Sequence, residues 1–137
     1  MSRREAGWVT TWLVVFAPAL IAFMGLVLDG GVLLVKQQKL DAAADAAALA
    51  ATDAWDREYW KWNGAVRIDP GGADGLARQY LTRSLPDARL VEVTVNPANR
   101  VNVRTELTVP FFFMRIVGMK ERTLESYSTA VRRSVRN

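Results

Sequence analysis

The sequence predicts an α+β chain in which a long, membrane-crossing N-terminal helix is followed by a small antiparallel sheet of about three strands and one short packing helix. Three observations predict it. Ala6 to Leu28 carries no charged side chain over 23 positions, Ala42 to Ala51 holds eight alanines in ten, and beyond Pro86 the apolar period changes from helical spacing to two.

Composition limits the chemistry first. The chain has 137 residues, one domain's worth, with neither histidine nor cysteine. Thiolate nucleophiles, disulfides, Cys/His zinc sites and imidazole acid–base catalysis are therefore excluded. Eighteen basic and 14 acidic residues leave a net charge of +4. The basic residues are scattered among acids, which argues against nucleic acid as a partner. No cofactor and no metal is expected.

At about 1.5 Å per residue the uncharged run is roughly 34 Å of helix, enough for a hydrocarbon core of about 30 Å with some tilt. The span is placed at 8–28, behind a basic leader at 1–7 that carries Arg3 and Arg4. Trp8 and Trp12 sit where indoles favour the headgroup level, and Pro18 removes one backbone donor mid-span. A cleaved secretory signal has a shorter apolar region, and a chain this short has too little protein to bury so uniform a cylinder. The short leader inside and the longer C-terminal part outside is the simpler orientation.

Asp29, Gly30 and Gly31 close the apolar run and are expected to hinge the helix at the membrane boundary. A carboxylate there is costly unless satisfied. Asp29 either caps the resumed helix or meets a cation on a partner. The helix is expected to resume as an extracytoplasmic extension over 29–62. Its alanine tract, with Ala44, Ala47 and Ala48, would let another helix or a sheet approach closely. Asp41 and Asp45 share a helix face and read as solvated positions rather than a paired-carboxylate site.

Trp55, Tyr59 and Trp62 follow at i, i+4 and i+7, a stripe expected to dock the long helix onto the domain formed by 63–137. Asn63-Gly64 ends the helix, and Asp69-Pro70-Gly71-Gly72 with Asp74-Gly75 reads as a loop. A short amphipathic helix is expected from about Ala73 to Pro86. Val91, Val93 and Val95 then alternate with polar residues, as do Val101, Val103, Thr105, Leu107 and Val109 beyond an Asn-Pro-Ala-Asn turn. This predicts a hairpin with one buried face. The run FFFMRIVGM reads as an apolar connector with a helical turn ended by Gly118. Thr123 to Val131 supplies a third strand with Tyr127, Thr129 and Val131 on one face. Arg132, Arg133 and Arg136 read as a solvated tail that blunts an edge.

Basic leader, span and LVLDGGVLLVKQQKLDAAADAAALAAT together resemble the N-terminal module of the TadE/TadG-like proteins of bacterial tight-adherence (Tad, or Flp) pilus assembly. The matching positions include Asp29, Gly30, Gly31, Gln37, Gln38, Leu40, Ala44, Asp45, Ala47 and Ala48. The resemblance covers residues 3–54 and, more loosely, the strand, strand, Phe-rich turn, strand order of 90–132. It implies a pilin-like or pseudopilin-like subunit in the cytoplasmic membrane, with its small domain outside. Its implied partners are the lipid bilayer, other pilus or secretion-system subunits such as pilins and platform proteins, and further copies through the N-terminal helix. Prepilin peptidase sites place a glycine before the apolar run and a glutamate five positions on. Gly7 supplies the glycine as a processing site, but the fifth residue after it is Trp12: either the chain is uncut, the preferred reading, or it is cut and assembles without that carboxylate. A membrane-tethered sensor or adhesion module is the rival reading. A hydrolase using Asp69 and Asp74 ranks last, because nothing sets a nucleophile against a base.

Overall fold

Alanine, leucine and valine dominate the first fifty residues, and they fold as one helix, α1, from Arg3 to Ala51 in the computed structural model, which describes residues 3–133. Arg136 and the side chains of Arg3 and Arg4 lie outside the described set. After α1 come α2 (Arg57–Asn63), α3 (Pro70–Ser84), β1 (Arg89–Asn96), β2 (Arg100–Pro110), a 3-10 turn (Met114–Val117) and β3 (Glu121–Val131). The chain divides into two compact units, Met1–Leu34 with Pro110–Arg122, and Val35–Val109 with Thr123–Asn137.

In the first unit α1 passes through Pro18 and through Gly30-Gly31 without leaving the helical state, so the glycine pair is not the interruption expected of it. The i→i−4 ladder tolerates glycine at a cost of about 1 kcal/mol each relative to alanine. One stretch of α1 is long and apolar enough to cross a membrane, and it is almost wholly exposed. Trp8 meets Trp12 edge-on at 5.4 Å, and Trp12 meets Phe16 at 5.0 Å.

The second unit is a three-stranded sheet in the order β1-β2-β3. β1 and β2 pair antiparallel around Pro97-Ala98-Asn99, where Asn99 takes φ 54° and its amide bonds the Asn96 carbonyl. Asparagine tolerates that left-handed position, which closes a three-residue hairpin loop. Contacts between Thr108 and Thr123 and between Asn102 and Thr129 set β3 antiparallel on the other side of β2. Val101, Val103, Thr105, Leu107 and Val109 point inward, as do Leu124, Ser126 and Ser128. Tyr127, Thr129 and Val131 share the outer face. A bulge between Leu90 and Glu92 shifts the register of β1. Leu90 therefore faces inward in place of Val91, which is exposed, contrary to the simple alternation.

The long helix also ends earlier than expected. The amides just beyond α1 turn to i−3 acceptors (Thr52 to Leu49, Asp53 to Ala50, Ala54 to Ala51), and the Thr52 hydroxyl also donates to the Leu49 carbonyl at 2.6 Å. Trp55 is extended and bridges to Ile68, and Asp56 starts a separate helix by accepting the amides of Glu58 and Tyr59. Thr52 and Asp56 thus compete for the backbone in the way that ends one helix and begins another. The expected loop at 69–75 is instead the first turn of α3. Asp69 accepts the Gly72 amide at 2.7 Å and Pro70 occupies the first helical position. Ala73, Ala77 and Leu81 form the buried stripe of α3, which packs on β1.

Candidate functional site

Two arrangements give the sequence-predicted residues their roles. In the first unit the Asp29 side chain, 5% exposed, accepts three consecutive amides, those of Phe112 (3.2 Å), Phe113 (2.9 Å) and Met114 (2.7 Å). A carboxylate that gathers several N–H donors is satisfied without a cation. Asp29 therefore neither caps a resumed helix nor needs a partner's charge. One turn earlier on α1, Gly25 leaves the space that the Phe113 side chain fills: a Cβ there would stand 2.7 Å from that of Phe113. Gly30 and Gly31 face open space and shape nothing locally.

In the second unit the alanine tract meets the inner face of the sheet. Leu40, Ala44, Ala47, Ala48 and Ala51 are fully buried and fall on one helix face. Three bonds stitch that helix to β3 and the residue following it. Gln37 Nε2 donates to the Glu125 carbonyl (3.1 Å), Ser128 Oγ to Asp45 (2.5 Å), and Arg132 to the Thr52 carbonyl (3.1 Å). From 37 to 52 a helix rises about 22 Å, and from 125 to 132 a strand rises about 23 Å. The two elements run in step. Asp45 is thus an anchor for β3 rather than a merely solvated position, and the small faces of Ala44, Ala47 and Ala48 are covered by the chain itself.

The aromatic stripe does not form as expected, because the break at 52–56 puts Trp55 outside α2. Trp55 and Tyr59 are half-buried, whereas Trp62 is 87% exposed. Two guanidinium groups lie over the Trp55 ring, that of Arg57 at 5.8 Å and that of Arg132 at 5.3 Å. Arg132 also pairs with Asp53 at 2.8 Å, so it is a structural clasp rather than part of a solvated tail. Arg133 is exposed.

Among the described residues, the polar groups that the sequence offered for chemistry are taken up by structural bonds. A recess of about 540 Å³ beside the hairpin turn has Tyr59 and Arg67 on its wall, stacked on each other at 5.3 Å. The side-chain amide of Asn99, also there, is taken by the Val66 carbonyl. Asp69 is committed to its cap and Asp74 to Arg78. Among the described residues no group of three Asp, Glu, His or Cys side chains is placed to hold a metal ion. On the outer face of the sheet, hydrogen bonds from Tyr127 (3.0 Å) and Arg104 (3.1 Å) hold the Glu125 carboxyl below the usual carboxylate range. The same bonds raise Tyr127 and Arg104.

A family of Tad-like Flp pilus-assembly proteins matches residues 32–130, most of the chain, and a TadE/G-like Flp pilus-assembly family matches residues 7–56. The chain belongs to the Tad-like Flp pilus-assembly family. Comparison with curated proteins and with solved structures gave no match. The two Tad matches overlap on the alanine tract, the helix that the sheet covers. The match over residues 7–56 also contains Gly25 and Asp29, and the match over residues 32–130 contains the turn that they receive. Sequence reasoning missed that turn's role. Three consecutive phenylalanines at 111–113 were the available signal, but only the fold brings them to a helix more than eighty positions away.

Proposed function

We propose that this Tad-like chain is a single-pass subunit of the cytoplasmic membrane, with residues 1–7 in the cytoplasm, a span at 8–28 and the sheet unit outside. Its role is structural, in assembling a Tad pilus or related secretion apparatus as a pilin-like or pseudopilin-like component. The observation that carries this reading is the exposed apolar stretch at the head of a chain of this family. The alanine tract is covered within the chain, so contacts with pilins, platform proteins or further copies fall to the outward surface of α1 before Val35. Gly7 lies inside the helix and its carbonyl accepts the Thr11 hydroxyl at 2.9 Å. Cutting after Gly7 would require that turn to unwind, which supports an uncut chain.

Deleting the protein and imaging the cells tests the role: loss of pili is expected, and normal pilus number and attachment would overturn it. Crosslinking should recover pilus-system subunits. Their absence would favour a tethered sensor or adhesion module. The intact mass of the membrane-extracted protein should include residues 1–7. The chain has no cysteine, so single cysteines at position 3 and in the 96–100 turn report orientation to an impermeant thiol reagent. Labelling of the first alone in intact cells would reverse the topology.

A further inference from the structure

We infer that the Phe112–Met119 turn is a second membrane contact, a wedge seated in the lipid interface beside the span and held there by Asp29. The inference rests on reading 8–28 as a membrane span. Phe113 lies against Gly25 and its amide bonds Asp29, which places the turn at the last turn of the apolar run. There it presents Phe112, Ile116 and Val117, each at least 75% exposed, next to the exposed Leu26, Val27 and Leu28 of the helix. Exposed apolar residues that continue an apolar surface mark an interaction site.

Two further observations choose lipid as the occupant. The first is backbone satisfaction, without which irregular chain is excluded from an apolar medium. The amides of Phe112, Phe113 and Met114 go to Asp29. Those of Phe111, Ile116, Gly118 and Met119 go to the carbonyls of Lys120, Phe113, Arg115 and Met114. Seven of the nine amides from Phe111 to Met119 therefore need no water. The second is charge. Arg115, Lys120 and Arg122 are exposed around the apolar tip, and none is in an ion pair with a described residue. Glu121, also exposed, lies among them, so three cations and one anion leave the rim at +2, and an apolar tip with a cationic rim fits acyl chains below and anionic phosphates above. The buried carboxylate at the membrane boundary thus has a function: it replaces water as the acceptor for the turn.

The test uses the full-length protein reconstituted in phosphatidylcholine vesicles containing phosphatidylglycerol, with an environment-sensitive fluorophore on a single cysteine at position 116 and, separately, at position 20. Quenchers are a doxyl group high on the lipid acyl chain and aqueous iodide. We expect both probes to be quenched by the doxyl lipid and shielded from iodide. Asp29→Ala should restore iodide quenching at 116 severalfold and leave position 20 unchanged. Iodide access at 116 with lipid quenching at 20 would overturn the wedge and leave the span standing; loss of lipid quenching at 20 would overturn the span itself. Shielding at 116 without lipid quenching would mean that protein covers the turn, and also overturns the inference. Unchanged quenching in the Asp29→Ala protein would overturn the part assigned to Asp29.

Discussion

The amide of Phe113 donates to the carboxylate of Asp29 at 2.9 Å, while its side chain fills the place that a Gly25 side chain would take. One residue of the Phe-rich turn is therefore fixed twice, once by charge and once by shape, from two positions a helical turn apart. Replacing Asp29 by alanine removes the acceptor of three amides at once. Hydrogen bonds to a charged group contribute about 1.5–3 kcal/mol, and orphaned buried donors cost a further 1–3 kcal/mol. A loss of about 2 kcal/mol in the stability of the turn corresponds to roughly 30-fold faster amide exchange. Hydrogen exchange at Phe112–Met114 in detergent-solubilised protein measures it. Asp29→Asn, which keeps one carbonyl oxygen, should fall between the two. Unchanged exchange in the alanine variant would show that the carboxylate does not hold the turn.

The glycines of α1 separate into two kinds. A methyl group at Gly25 would stand 2.7 Å from the Phe113 Cβ, which is part of the turn's frame rather than the free end of a side chain. Gly25→Ala should therefore displace the turn, at an overpacking cost of about 1–3 kcal/mol. Gly30→Ala and Gly31→Ala meet open space and should stabilise the helix by up to about 1 kcal/mol each. Thermal unfolding in detergent distinguishes the cases. A loss of stability at Gly30 or Gly31 would mean that those positions do need glycine's freedom.

Local signals made much of the fold legible, and its long-range bonds lay beyond them. The uncharged run, the alanine tract and the alternation of β2 each express a short repeat, so the helix and strand followed from neighbouring residues alone. Where fold and sequence pattern part, two local options compete. Asp69-Pro70 can open a loop or cap a helix, and the side chain's bond to Gly72 decides for the helix. Thr52 and Asp56 could sit within a long helix, but a bridge from Trp55 to Ile68 favours the break. Asp29 stands out in the sequence for the cost of a carboxylate at a membrane boundary. Its partners stand at 112–114, a separation at which no spacing rule operates.

The covered alanine tract gives a test of packing. Ala48 is fully buried, whereas its neighbour Leu49 is largely exposed. Ala48→Leu inserts three heavy atoms between helix and sheet and should cost about 1–3 kcal/mol. Leu49→Ala should change stability by less than about 0.5 kcal/mol, as for surface positions generally. Chemical denaturation followed by circular dichroism provides the readout. If Ala48→Leu were neutral, the sheet would not be the surface that this helix face meets.

Acid should weaken the outer face of the sheet. Bonds from Tyr127 and Arg104 depress the Glu125 carboxyl, so its contribution is fully present above the ordinary carboxylate range and is lost as pH falls through its lower, folded value. Glu125→Gln should flatten that part of the acid-side stability profile and leave the neutral-pH slope unchanged. Melting temperatures between pH 2 and pH 7, about the span over which a carboxylate titrates, measure the effect. The same acid sensitivity in the glutamine variant would assign it to other carboxylates.

Arg132 closes the second unit by joining β3 to the break after α1, with hydrogen bonds to the Thr52 carbonyl and to Asp53 and a guanidinium over Trp55. Asp53 is largely exposed, so its ion pair contributes little. The carbonyl bond and the stacking carry most of the effect, about 1 kcal/mol each. Arg132→Ala should therefore destabilise the unit by about 1–2 kcal/mol. Arg132→Lys should recover only part of this, since an ammonium lacks the planar fork that bonds and stacks together. A double-mutant cycle with Trp55→Leu isolates the stacking contribution. A coupling energy indistinguishable from zero would leave the carbonyl bond as the clasp and remove any role for the indole.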